Sequence, residues 1–256
     1  MIDLTSYEGL FHSSSSQIDI SPEESPYPKT YLDFAYADLE ERDSERSRVN
    51  SVSNAKRALH YQVDLISDAY GYQNLKGNNS FPEKLDFCVR CGIVGPKILR
   101  KLNRLRNAVE HDYYIPNRDE AEDYVDIIEL FLSATDYFIY KFPGDLELSS
   151  NDGPKGLYWE SIAVAIAIKP CTGIIEINER RLTIPIAEAE KLYIREKLAL
   201  EKEAISGKTS VDITFEAFNN SFRDKYEIKE FSFSVSDGED YFAWIAFLNK
   251  KMTHSM

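Results

Sequence analysis

Histidine and cysteine are scarce in this chain, with four and three copies in 256 residues. Three cysteines make no disulfide scaffold and fit a reducing cytosol, so a cytoplasmic protein is expected. Cys88-Val89-Arg90-Cys91 has the two-residue spacing of zinc and redox sites. Zinc needs two more ligands, no second close Cys or His pair exists, and Cys171 stands alone. No metal and no cofactor is therefore expected. No run of about 18 apolar residues occurs, which argues against a helical membrane span. Met1-Ile2-Asp3-Leu4 does not open a secretion signal. Gly153-Pro154-Lys155-Gly156 is too short for a phosphate-binding loop, and neither a nucleophile elbow nor a His-Glu-x-x-His zinc motif is present. Excess positive charge is also missing: 43 acidic residues face 30 basic ones, for a net charge of −13. That excludes a broad nucleic-acid-binding surface and confines any such contact to a local patch.

What is present divides the chain in composition. Residues 1–28 hold the serine run Ser13 to Ser16 and the proline- and acid-rich stretch Ser21 to Pro28, and an irregular segment is expected. Helical periodicity fills 29–145. Ala55, Leu59, Gln62, Leu65, Ile66 and Ala69 trace one helix face, with Ser53 or Asn54 as its cap. A shorter helix is predicted over Pro82 to Cys91. Asn117-Arg118-Asp119-Glu120 reads as a capping box for a helix whose buried face runs from Ala121 through Ile128 to Ile139, ending near Phe142-Pro143-Gly144. Ser149 to Pro154 reads as a linker or long turn. Beyond it, over 155–256, strands are predicted at Trp159–Lys169, Ile174–Asn178, Leu182–Ile186, Val211–Phe215, Glu230–Val235 and Tyr241–Ile245, with a charged helix from about Ala187 to Glu203. The fold class expected is α+β: a helical bundle followed by a small antiparallel-sheet domain of unknown role.

One stretch of the helical part carries chemistry. Leu105-Arg106-Asn107-Ala108-Val109-Glu110-His111-Asp112-Tyr113 places a guanidinium, an amide and an imidazole on about two turns of a predicted helix that opens at Gly95-Pro96 and must stop at Pro116. Asn107 with His111, and Arg106 with Glu110, are neighbours at a four-residue offset. Lys97, Arg100, Lys101 and Arg104 form a cationic stripe leading to that motif. Each feature also has a plain structural reading: a solvated helix face for the stripe, an Arg–Glu pair for Arg106, and a helix C-terminal cap for His111. His60, near Arg57 and Tyr61, reads as a surface histidine.

The motif resembles the signature of the HEPN superfamily, Arg followed by Asn and then His, and its Arg-x4-His-x-Tyr form resembles HepT-type toxins. The resemblance covers about residues 31–142 and implies a helical bundle that cleaves RNA without a metal, in toxin–antitoxin or antiviral-defence settings. It implies His111 as general acid or base on the ribose 2′-hydroxyl, Arg106 as the charge stabiliser at the phosphate, Asn107 as an orienting group and Glu110 as the partner of Arg106. It further implies an RNA substrate bound along Lys97, Arg100, Lys101 and Arg104, a homodimer through the helical part, and a nucleotidyltransferase antitoxin that modifies Tyr113. The alternative is a non-catalytic HEPN module that dimerises and binds a protein or a nucleotide.

Overall fold

The computed structural model describes residues 4–41, 43–75, 80–93, 114–150, 158–185, 228–236 and 238–253. Within them the chain mixes helices with one five-stranded antiparallel sheet, as the α+β expectation requires. In chain order the elements are α1 (Thr5–Glu8), β1 (Phe11–Ile18), α2 (Pro28–Glu40), α3 (Glu45–Ala69), α4 (Phe81–Arg90), α5 (Arg118–Thr135), α6 (Tyr137–Tyr140), β2 (Phe142–Ser149), β3 (Tyr158–Lys169), β4 (Ile174–Pro185), β5 (Ile228–Val235) and α7 (Gly238–Thr253). A short 3-10 turn, Tyr72–Leu75, follows α3.

The 25-residue α3 is the spine of the helical layer. Its start is fixed by Ser44, whose hydroxyl accepts from the Ser47 N–H while the Ser47 hydroxyl accepts from the Ser44 N–H. The predicted caps Ser53 and Asn54 therefore lie inside the helix: its apolar stripe starts further upstream, at Val52 and the buried Ser47 and Ser51. The α5 start conforms to the capping-box pattern. The Asn117 side chain accepts from the Glu120 N–H, and the Glu120 carboxylate accepts from the Asn117 N–H, both at 2.9 Å. Gln62 is buried between α3 and α5 and donates to Thr135 Oγ1 at 3.1 Å and Asp136 Oδ1 at 3.0 Å. Arg118 reaches across to the Leu39 carbonyl, tying α5 to α2.

All four strand pairings are antiparallel, in the order β1-β2-β3-β4-β5. Leu146, Leu148, Val164, Ile166, Ile168, Ile175 and Ile177 alternate onto the covered face and join a core that also takes in the helices. The strand prediction needs three corrections. Residues 11–18, expected to be irregular, form β1, because their backbone pairs with β2 and the Ser14 and Ser16 hydroxyls donate to Glu147 and Asp145. Leu182 to Pro185 is no separate strand but the end of β4, which runs unbroken from Ile174. The Tyr241–Ile245 segment is helical. Tyr241, Trp244, Ile245, Leu248 and Met252 are buried at offsets of three, four, seven and eleven, a helix period that outruns a five-residue window. Phe142–Gly144, expected to end a helix, instead opens β2. The segments 187–203 and 211–215, and most of the predicted linker, lie outside the described residues.

Candidate functional site

The residues singled out by the sequence motif, Arg106, Asn107, Glu110, His111 and Tyr113, lie outside the described residues, as do Lys97, Arg100, Lys101 and Arg104. The described residues fix where that stretch leaves and rejoins the fold. On the leaving side, Cys91 closes α4 and its carbonyl accepts from Asn249 Nδ2 at 2.8 Å; the Asn249 carbonyl in turn accepts from the Tyr70 hydroxyl at the C-terminal end of α3. On the rejoining side, the carbonyl of the buried Pro116 accepts from Arg48 Nε at 2.8 Å, at the N-terminal end of α3. The two anchors thus stand at opposite ends of one helix, about 30 Å apart at 1.5 Å per residue.

Of the two Cys-x-x-Cys thiols, both are buried, and burial pushes Cys88 up to about 12 and Cys91 well above the usual thiol value. Thiols held protonated in this way are poor nucleophiles at neutral pH. Among the described residues no group of His, Cys, Asp and Glu is arranged to hold a metal ion.

The open concavity of the helical layer lies elsewhere. A groove of about 740 Å³ runs between α2 and α3, lined on the α3 side by Ser53, Lys56, Arg57, His60, Tyr61 and Asp64. Those positions recur every three or four residues, so they share the face of α3 opposite the core stripe. Pro26 and Tyr31 form the other wall. The His60 imidazole lies flat on the Phe81 ring, with centroids 3.9 Å apart and planes 8° from parallel. Tyr31 is buttressed edge-on by Phe34. At the far end Asp64 accepts from the buried Lys84 amine at 2.8 Å, and the same amine lies 3.8 Å from Asp68. Lys56 and Arg57 stand side by side in this lining, and Arg57 Nη1 donates to Asn54 Oδ1 at 3.1 Å. Sequence reading takes His60 as a surface histidine, with Arg57 and Tyr61 only as its neighbours. The spacing 53, 56, 57, 60, 61, 64 was the signal that a single face gathers them.

A second polar cluster sits at the covered end of the sheet. Glu179 of β4 is buried and accepts from the Tyr7 hydroxyl at 2.5 Å and from the Arg181 guanidinium. Burial raises the Glu179 pKa, but the bonds from Arg181 and Tyr7 outweigh it and hold the carboxyl below its usual value. Burial, with Glu179 next, pushes the Tyr7 hydroxyl up to about 12. This cluster fastens α1 to the sheet through Tyr7.

A scan of the chain against family models finds none that matches, and searches of curated proteins and of solved structures find no match either.

Proposed function

We propose that the protein is a metal-independent endoribonuclease of the HEPN type, acting in defence or as a toxin. One observation carries the reading: the order Arg106-Asn107-x3-His111, with Tyr113 two residues on, placed between α4 and α5. In this mechanism His111 takes the proton of a ribose 2′-hydroxyl, whose oxygen attacks the adjacent phosphorus. The 5′-oxygen leaves with a proton and a 2′,3′-cyclic phosphate remains. An imidazole with an ordinary pKa near 6.5 suits both proton transfers. Arg106 offsets the charge that builds on the phosphoryl oxygens, Asn107 orients the phosphate, and Glu110 positions Arg106. Lys97, Arg100, Lys101 and Arg104 supply the local attraction that the acidic surface lacks. Two protomers facing each other across a two-fold axis would complete a cleft from two such motifs. A nucleotidyltransferase acting on Tyr113 would be the matching antitoxin.

The test is RNA cleavage in EDTA by wild type and His111→Ala at equal oligomeric state. Loss in the variant alone, by at least about a hundredfold, with cyclic 2′,3′-phosphate ends in the wild-type products, is the expected outcome. Equal cleavage by both would overturn the assignment of His111. The non-catalytic interaction module remains a second reading because the outer face of the sheet is exposed at Ala163, paired with Ser149 and Arg180, and at Ala165, paired with Glu147 and Asn178. Absence of cleavage by either protein across structured and single-stranded RNAs would favour it.

A further inference from the structure

We infer that β1 is the docking edge for a second copy of this chain. The two β1 strands pair antiparallel about a two-fold axis at Ser15 and join two sheets into one. The inference stands on the sheet edge and not on the ribonuclease reading, whose paired motifs lie in another part of the chain.

Among the described residues the sheet ends at β1, and every residue of that strand is exposed. The free side of an edge strand presents unpaired N–H and C=O groups that can template another strand, and proteins blunt such edges with charge or proline. The strand at the opposite edge, β5, carries Lys229 and Glu230. Phe11-His12-Ser13-Ser14-Ser15-Ser16-Gln17-Ile18 holds no proline, no lysine, no arginine and no acid.

The side chains of β1 sort onto two faces. Ser14 and Ser16 stand on the outer face, where their hydroxyls donate to the Glu147 and Asp145 carboxylates at 2.7 and 2.8 Å. Ile18 shares that side, because a Cβ built on Gly144 would meet both Ser16 Oγ and Ile18 Cδ1, at 2.9 and 3.0 Å. Phe11 is on it too: it pairs with Ser149, whereas His12 pairs with Leu148 of the covered face. Strict alternation would put Phe11 and Ile18 on opposite faces. The register shift between His12 and Ser14 absorbs Ser13 as an extra residue and returns the two to one face. The other shift places its extra residue, Gly144, on β2 and leaves β1 regular there.

That bulge makes the strand complementary to itself. With Ser15 opposite Ser15 of the second copy, Ser14 meets Ser16. The extra residue at Ser13 then sets His12 against Gln17 and Phe11 against Ile18, each pair on a common face. Phe11 and Ile18 are large apolar side chains left 67% and 37% exposed, and this register covers both with each other at either end of the contact. A two-fold interface requires such a match of a surface with itself. A slip by one residue would turn each side chain against the wrong face.

The experiment is sedimentation equilibrium of the full chain, with circular dichroism to check that each variant is folded. Ser15→Lys and Ser15→Glu each set like charges opposite one another on the axis, and each should show half the wild-type mass at up to about 100 μM. The halving is expected whether or not protomers also pair through their helical parts. Mixed one to one, the two variants place lysine opposite glutamate and should recover the wild-type mass. Phe11→Ser removes both end pairs and should weaken association about tenfold. Ser234→Lys adds the same charge at an exposed position of β5 and should leave the mass unchanged. Equal masses for wild type and Ser15→Lys overturn the inference and leave the edge to a strand of another protein. Folded half-mass variants that fail to recover on mixing overturn it as well. RNA cleavage by Ser15→Lys should match wild type, so failure of the strand pairing and failure of the ribonuclease reading are told apart.

Discussion

Gly71 and Gly173 meet backbone to backbone where the β3–β4 hairpin turn docks on the end of α3. Both have positive φ, +81° and +68°, a region that side-chain-bearing residues rarely adopt. A Cβ built on Gly71 would stand 2.2 Å from the Gly173 nitrogen and 2.3 Å from its Cα, which no rotamer change can relieve. The contact is further sealed by Cys171 N–H donating to the Ala69 carbonyl at 2.7 Å, and by Asn74 donating to the carbonyls of Cys171 and Thr172. Gly71→Ala should therefore cost about 2–4 kcal/mol, adding backbone strain to a steric overlap. Gly9→Ala, with negative φ and nothing within 4 Å, should be close to neutral. Urea-unfolding midpoints of the two variants against wild type decide it, and equal midpoints would refute the contact.

At the scale of elements, α7 holds the end of α4 to the end of α3. The Asn249 side chain bridges them, accepting from Tyr70 and donating to Cys91, while the Tyr241 hydroxyl donates to the Tyr70 carbonyl. Asn249→Ala leaves a buried hydroxyl and a buried carbonyl without this partner, and a loss of about 2–3 kcal/mol is expected in denaturant unfolding. Retained stability would mean that the bridge contributes nothing net. This helix also shows what the sequence conveys and what it hides. α5 was legible because its cap, its acidic first turn and its apolar stripe are all local. The β3–β4 hairpin was legible because strand alternation resumes at once on either side of a Pro-Cys-Thr-Gly turn. α7 was not, because the aromatic and β-rich look of Tyr241–Ile245 matches a strand unless Leu248 and Met252 are read with it. β1 was hidden for another reason. Its eight residues are all exposed, so no hydrophobic pattern marks them, and only pairing with β2, more than a hundred residues away, makes them a strand. The groove was half legible: its α3 residues share one helical face, but Tyr31 and Phe81 come from elements that only tertiary packing brings to it.

For the molecule as a whole, one apolar core links α1, the helices around α3, the inner sheet face and α7. Cooperative loss of that core predicts a single unfolding transition. Within the core, four acidic hydroxyl and thiol groups lie close together: Tyr70, Tyr241, Cys88 and Cys91. Burial raises the pKa of each, chiefly by denying the anion its water; charge repulsion from Cys91, Tyr241 and Cys88 raises Tyr70 further, Cys91 does the same to Tyr241, and Cys88 to Cys91. The sign of the pH effect follows. In the unfolded chain these groups ionise near 9.0 for the thiols and 10.0 for the phenols, whereas in the folded chain they stay protonated to higher pH, about 12 for Cys88. Their contribution to stability is complete below about pH 8. It falls as the pH rises through 9 and 10, where the unfolded state alone loses protons, by up to about 1.4 kcal/mol per pH unit for each group. Urea midpoints measured at pH 7.5, 9.0 and 10.5 should therefore decline, with circular dichroism and tryptophan fluorescence giving coincident curves at each pH. Cys88→Ala should flatten the decline between pH 9.0 and 10.5 while lowering the midpoint at pH 7.5, because it removes a titrating group and leaves a small cavity. A midpoint independent of pH over this range would mean that the four groups reach water in the folded chain, and that the core does not close around the end of α3.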